Sequence, residues 1–298
     1  MASPTIAGAV SAIRGIGSAA WNLLEQTVIS FIEDEALSRG AAIAFYATTS
    51  LAPVLLIVIA IAGIVFGHDA AQNAIGNEFS ALMGRQAAEI VRSIIGSASD
   101  MSSNVIAMFV GIGTLIVAAS GTFGEIQATL NMIWKASPRS MTMSRLIRAR
   151  VISLGLVAAL GLLLIISLAI SAGLTALESY LATYPVGKVI LSVLNFSVSV
   201  LLFWFLFGAI YKVLPDRTLR WGDVMVGAFI TSLLLSLGKS IIGWYIGSSA
   251  IASSYGAAGG LIVLLLWIYY SVQIFLVGAE FTKVYANEHG SKRMRPVS

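Results

Sequence analysis

Cysteine is absent from the 298-residue chain, which excludes disulfides, iron–sulfur clusters, Cys-ligated zinc and a thiol nucleophile. Charge is scarce. Asp, Glu, Lys and Arg make up 11% of the residues, against about a quarter in an ordinary soluble domain. Histidine occurs only as His68 and His289, far apart in sequence. Hydrolysis of a phosphodiester needs carboxylates or histidines gathered to hold metal ions or move protons. No His-x-x-x-His, clustered Asp or P-loop spacing occurs anywhere in the chain. We therefore expect no enzyme, no catalytic residue, no metal, no cofactor and no nucleic-acid partner, and no energy drawn from a nucleotide.

Long apolar runs fill the space that charge leaves. The chain is 58% hydrophobic with a mean hydropathy of +0.91, so lipid is its solvent. Six runs approach the roughly 20 residues needed to cross a ~30 Å hydrocarbon core: Ala41–Phe66, Asn104–Ser120, Val151–Leu174, Val189–Tyr211, Val224–Ile246 and Gly260–Phe281. The fold class expected is all-α, a polytopic membrane bundle of six transmembrane helices. Pro53 should kink the first, and the second should continue as helix through Glu125 to Trp134. The first thirty residues hold one Arg and no compact apolar stretch, so the first span is expected to serve as the targeting signal.

Basic residues sort by side. Arg14 and Arg39 precede the first span. Lys135, Arg139, Arg145, Arg148 and Arg150 follow the second; Lys212, Arg217 and Arg220 follow the fourth; Lys283, Lys292, Arg293 and Arg295 follow the sixth. Those fourteen face Arg85, Arg92 and Lys188 on the other side, with Lys239 inside the fifth span. The positive-inside rule then puts both termini in the cytoplasm of a bacterial inner membrane. Residues 1–40 form a cytoplasmic amphipathic segment, 41–282 the membrane domain with a helical outer loop at 67–103, and 283–298 a basic tail. In the first segment Trp21, Leu24, Val28 and Phe31 make one apolar stripe opposite Glu25, Glu33, Asp34 and Glu35. That acidic face disfavours anionic lipid, and packing against the bundle is the preferred reading. In the outer loop Ile75, Phe79, Leu82, Met83, Ile90, Val91, Ile94 and Ile95 follow helical spacing, with a break at Gly84.

Four stretches resemble the YihY/BrkB family of inner-membrane proteins, the UPF0761 group. They are "AAIAFYATTSLAPVLLI" (Ala41–Ile57), "ASGTFGEIQATLNMIW" (Ala119–Trp134), "YKVLPDRTLRWGDVMVGA" (Tyr211–Ala228) and "SSYGAAGGLIVLLLWIYYSVQIFLVGAEF" (Ser253–Phe281). The resemblance implies six spans and an inner-membrane location, in agreement with the charge count. The family has carried a ribonuclease BN label, which these residues do not support.

Function must then be sought in polar side chains at membrane depth, which are expensive and often functional. Lys239 lies about seven residues, ~10 Å, from the outer end of the fifth span, with Ser232, Ser236 and Gly243 on its face. Asn195, flanked by Ser192 and Ser199, enters the fourth span to a similar depth. Lys239 has three readings: it snorkels to the outer interface, it loses its charge on desolvation, or it lines a watery cavity and binds an anionic group such as a lipid phosphate. Nearer the cytoplasm, Ala107, Gly111, Thr114, Ala118 and Gly121 form a small-residue stripe that aims Glu125 at a neighbouring helix. Tyr269, Gln273 and Glu280 share a face of the sixth span. Glu125 and Glu280 either look into a common cytoplasmic vestibule or pair with basic residues of the loops. The expected candidates for substrate binding are thus Lys239, Asn195, Ser232, Ser236, Gln273, Glu125 and Glu280. Two functions remain open: a transporter or flippase for an amphiphilic anion, a lipid or envelope precursor, and a non-transporting scaffold or assembly factor. The small-residue stripes suit packing within one bundle and between copies in a homo-oligomer alike.

Overall fold

The computed structural model describes residues 4–83, 88–93, 121–136, 185–248 and 257–290, with isolated positions between them. Most of those residues are helical, and none lies in a strand. Helix α1 runs Pro4–Glu33, α2 Ala36–Phe66 and α3 His68–Met83. A further helix, α4, covers 121–133. Helices α5 (Pro185–Val213), α6 (Trp221–Ser248) and α7 (Ala257–Glu288) complete the set. The expected second and third spans fall largely outside the described residues, and so does the break at Gly84.

Among the described residues three helices are long and apolar enough to cross a membrane: Val189–Val213, Trp221–Ile246 and Ala258–Glu288. They overlay the expected fourth, fifth and sixth spans. At ~1.5 Å per residue their 25, 26 and 31 residues exceed a ~30 Å core. The expected first span lies within α2, which starts five residues earlier than its apolar run and continues through Pro53 without interruption.

Corners are set by residues that accept unusual backbone angles. Between α1 and α2 the chain turns on Asp34 and Glu35, with Glu35 left-handed at φ 50°. Gly67, at φ 86°, closes α2 and lets α3 start immediately after it. Lys135, at φ 47°, ends α4. Its amide bonds Met132 O and that of Ala136 bonds Asn131 O, the paired pattern of a Schellman cap.

The core has two centres joined by α7. One gathers Phe207, Ile210 and Tyr211 of α5, Val224 and Ala228 of α6, Leu130, Ile133 and Trp134 around α4, and Phe275, Leu276 and Ala279 of α7. The other packs Leu55, Val58 and Ile59 of α2 against Ile75 and Phe79 of α3, Val91, Ile242 and Ile246 of α6, and Val263 and Leu264 of α7. Thus Ile75, Phe79 and Val91 of the expected loop stripe are buried. Arg92 ties the 88–93 stretch to α3 through Asn77 Oδ1 at 2.9 Å.

Helices α6 and α7 interlock closely. A Cβ added at Gly227 would overlap Thr282, and one at Gly278 would overlap Thr231. Each helix therefore offers a glycine to the other's threonine, and each threonine hydroxyl donates back to its own helix, Thr231 to Gly227 O and Thr282 to Gly278 O. Small residues allow this approach, and satisfied hydroxyls make it tolerable in lipid. Tyr211 of α5 caps the contact, its hydroxyl donating to Phe275 O at 2.6 Å and lying 3.1 Å from Thr231 Oγ1.

Outward faces are apolar. On α6, Leu237, Ile241 and Trp244 are 58%, 61% and 75% exposed, the surface a bilayer covers. On α1, Trp21, Leu24 and Val28 are exposed as well, while Thr27 is buried and Phe31 packs on the first core. Helix α1 does lie against α7, with Phe31 on the first core and Asp34, in the turn that follows, on Lys283. Three of the four stripe residues expected to make that contact face away from it.

Candidate functional site

The α1–α2 corner collects the polar residues of the predicted cytoplasmic side. Lys283 Nζ, on the last turns of α7, donates to Asp34 Oδ2 and to Glu280 Oε2, both at 2.8 Å. Three residues further on, the backbone carbonyl of Leu37 accepts from Gln273 Nε2 at 3.3 Å. The Gln273 side chain fills a notch at Gly40, where a Cβ would overlap it. Arg39 Nη1 reaches Glu125 Oε1 of α4 at 3.4 Å. One short segment, 34–40, thereby gathers Gln273, Glu125 and Glu280.

These contacts differ in depth. The Glu125 and Arg39 side chains are 22% and 42% exposed, so their pair resembles a surface salt bridge, worth about 0–1 kcal/mol. Glu280 is fully buried, and Lys283 and Asp34 keep 12% and 17% of their side-chain surface. Glu280 Oε1 and Gln273 Oε1 are buried acceptors without a hydrogen-bond donor among the described residues. Each of the two expected carboxylates thus has a cationic partner, and no bond joins Glu125 to Glu280.

Toward the other end of α6, Ser232 and Ser236 are buried and Lys239 is half-buried. Ser232 Oγ donates to Phe229 O at 2.8 Å, whereas the buried Ser236 Oγ has no partner among the described residues. Lys239 makes no ion pair with any described residue. Asn195 stands exposed on α5 between Leu194 and Phe196, both also exposed. The structure therefore joins Ser232, Ser236 and Lys239 on one stripe and makes no contact between Asn195 and Lys239.

Sequence reasoning missed Asp34, Arg39 and Lys283 as partners. The Glu280–Lys283 spacing is a helical i, i+3 pair and carried a readable signal. Asp34 meets Lys283 across 249 positions and carried none. A second missed contact joins two of the quoted family stretches. Asn131 Nδ2 donates to Asp216 Oδ2 at 2.8 Å, and the Asp216 amide donates to Asn131 Oδ1 at 2.7 Å. Arg217 adds a bond to Trp134 O, so the end of α4 is clasped to the Leu214–Pro215 turn before α6.

Long apolar helices, lipid-facing exterior residues and buried polar groups define an all-α integral membrane protein. The comparisons agree. A family model described as "Virulence factor BrkB" matches residues 27–297, and the chain belongs to that family. Similar relatives include a UPF0761 membrane protein of Haemophilus influenzae strain PittEE, 32% identical over 213 residues, covering 68% of this chain and 76% of that protein. One from Mannheimia succiniciproducens is 28% identical over 259 residues, covering 85% and 86%. One from Pasteurella multocida is 28% identical over 213 residues, and the chain spans 63% of its length. No solved structure matches.

Proposed function

We propose that this protein is a bacterial inner-membrane transporter or flippase for an amphiphilic anion, a lipid or envelope precursor, with six spans and both termini in the cytoplasm. The carrying observation is the α6 stripe: an ammonium without an anionic partner among the described residues, one turn from a buried hydroxyl likewise without a partner among them. A snorkelling lysine needs neither a polar neighbour nor a packed face. A lysine that receives a phosphate or carboxylate head group uses both, because the group it binds supplies the missing acceptors. Ser236 and Lys239 then form the receiving surface, and the α1–α2 corner closes the cytoplasmic end of the route. Reconstitution into liposomes with a fluorescent anionic lipid tests this. Lys239→Ala is expected to slow transbilayer movement at least tenfold, and undiminished movement removes the assigned site.

A scaffold reading has two observations of its own. The exposed Trp21–Leu24–Val28 stripe of α1 and the interlocked α6–α7 pair suit a static surface for another membrane protein. Cross-linking from position 24 to a defined partner, together with unchanged lipid movement, would favour it.

A further inference from the structure

We propose that Asp34, Lys283 and Glu280 form a binding site for one monovalent cation, a proton or a sodium-sized ion, seated on Glu280 Oε1. Its role as the coupling ion rests on the transport reading above, but its binding does not.

Charge count and depth carry the proposal. One ammonium answers two carboxylates at 2.8 Å each, which leaves the trio one negative charge in excess. Glu280 has no exposed side-chain surface, and its partners have little. An uncompensated charge at that depth costs several kcal/mol in a real protein, so a carboxylate of this kind normally finds a counter-ion. Among the described residues, the groups around it supply none. Arg39 on α2 is engaged with Glu125 of α4. The opposite face of α7, against α5 and α6, presents the hydroxyls of Tyr211, Thr231 and Thr282, each already bonded. Lys212 bonds Leu219 O and Arg217 bonds Trp134 O.

The missing charge also has a place to go. Glu280 Oε2 accepts from Lys283, whereas Oε1 is buried and accepts nothing from the described residues. Gln273, two turns earlier on the same face of α7, likewise holds a buried unpartnered oxygen while its amide nitrogen is anchored to Leu37 O. Seven residues, ~10 Å along the helix, separate the two, so the cation rests on Glu280 Oε1 alone, where a buried acceptor beside an excess negative charge fits a small cation and repels an anion. Occupancy would leave the Asp34–Lys283 pair intact and neutral.

Thermal unfolding of the purified full chain in nanodiscs provides the test. Sodium chloride is exchanged for N-methylglucamine chloride at fixed ionic strength, and the series is repeated across pH. A cation at tenfold excess over its Kd is expected to raise Tm by a few degrees. A rise with sodium at constant pH identifies the metal ion; a rise on acidification without sodium dependence identifies the proton. Glu280→Gln, which keeps the shape and removes the charge, must abolish the response. Asp34→Asn, at the less buried end, removes the same excess charge and must abolish it too, which covers a failure of the first variant to fold. A response surviving in a folded variant, or none in the unaltered protein, overturns the site. Loss of the response leaves the Lys239 test of transport standing, and loss of transport in Lys239→Ala with the response intact leaves the cation site without a coupling role.

Discussion

At the scale of single residues, the sharpest constraints are places where an atom has no room. Gly278 lies under both Thr231 and the Tyr211 hydroxyl, so Gly278→Ala must push two hydrogen-bonded groups aside. We expect a loss of about 1–3 kcal/mol, read as a lower Tm in detergent. Thr231→Ala in the same background should recover part of it, because the Tyr211 contact remains. None of this was legible in advance. Gly278 appeared in the sequence as part of a Gly-Ala-Glu ending, and the partner that makes it indispensable lies 47 positions away on another helix. The charged neighbours behave similarly. Glu280 was readable as a membrane-depth carboxylate from its position in an apolar run, and Lys283 from the i, i+3 spacing. Asp34 looked like one more acid on a solvated face until the corner brought it to Lys283.

At the scale of elements, apolar length decided what was readable. The long runs of α5, α6 and α7 stood out because lipid allows no competing pattern over 20 residues. Their termini and caps did not, since α2 gains a polar first turn that hydropathy cannot register. The left-handed Glu35 and Lys135 carry no sequence mark either, because glycine or asparagine is the usual occupant of such angles. The clasp between α4 and the turn before α6 belongs at this scale. Asn131 and Asp216 exchange two hydrogen bonds, and a net bond is worth about 0.5–1.5 kcal/mol. A double-mutant cycle with Asn131→Ala and Asp216→Ala should therefore show a coupling of about 1 kcal/mol in thermal or chemical unfolding. Simple additivity would mean that the Asn131–Asp216 exchange contributes nothing and that packing and the Arg217–Trp134 bond hold the two stretches.

For the whole molecule, the proposed orientation rests on the distribution of Lys and Arg rather than on any contact. Single cysteines placed in the naturally cysteine-free chain test it directly. A cysteine at position 19 or 287 is expected to react with an impermeant thiol reagent only after the inner membrane of spheroplasts is opened. One at position 73, in α3, is expected to react in intact spheroplasts. The reverse pattern would invert the topology and with it the assignment of Lys239 to the outer half. The Lys239 stripe and the α1–α2 corner lie toward opposite ends of the α6–α7 pair, an arrangement that the order of residues along the spans already implied. Which polar residues meet at each end was not implied, because that depends on how helices rotate about their own axes.

The two sides of α7 are fastened in different ways. Against α6 it is held by shape, threonine into glycine, a joint that salt and acidity leave untouched. Against α1 and α2 it is held by apolar packing, Val263 and Leu264 on Leu55 and Val58, and by the charged contact of Lys283 with Asp34 and Glu280. Of these fastenings, only the charged one answers to protonation, at Asp34 and Glu280.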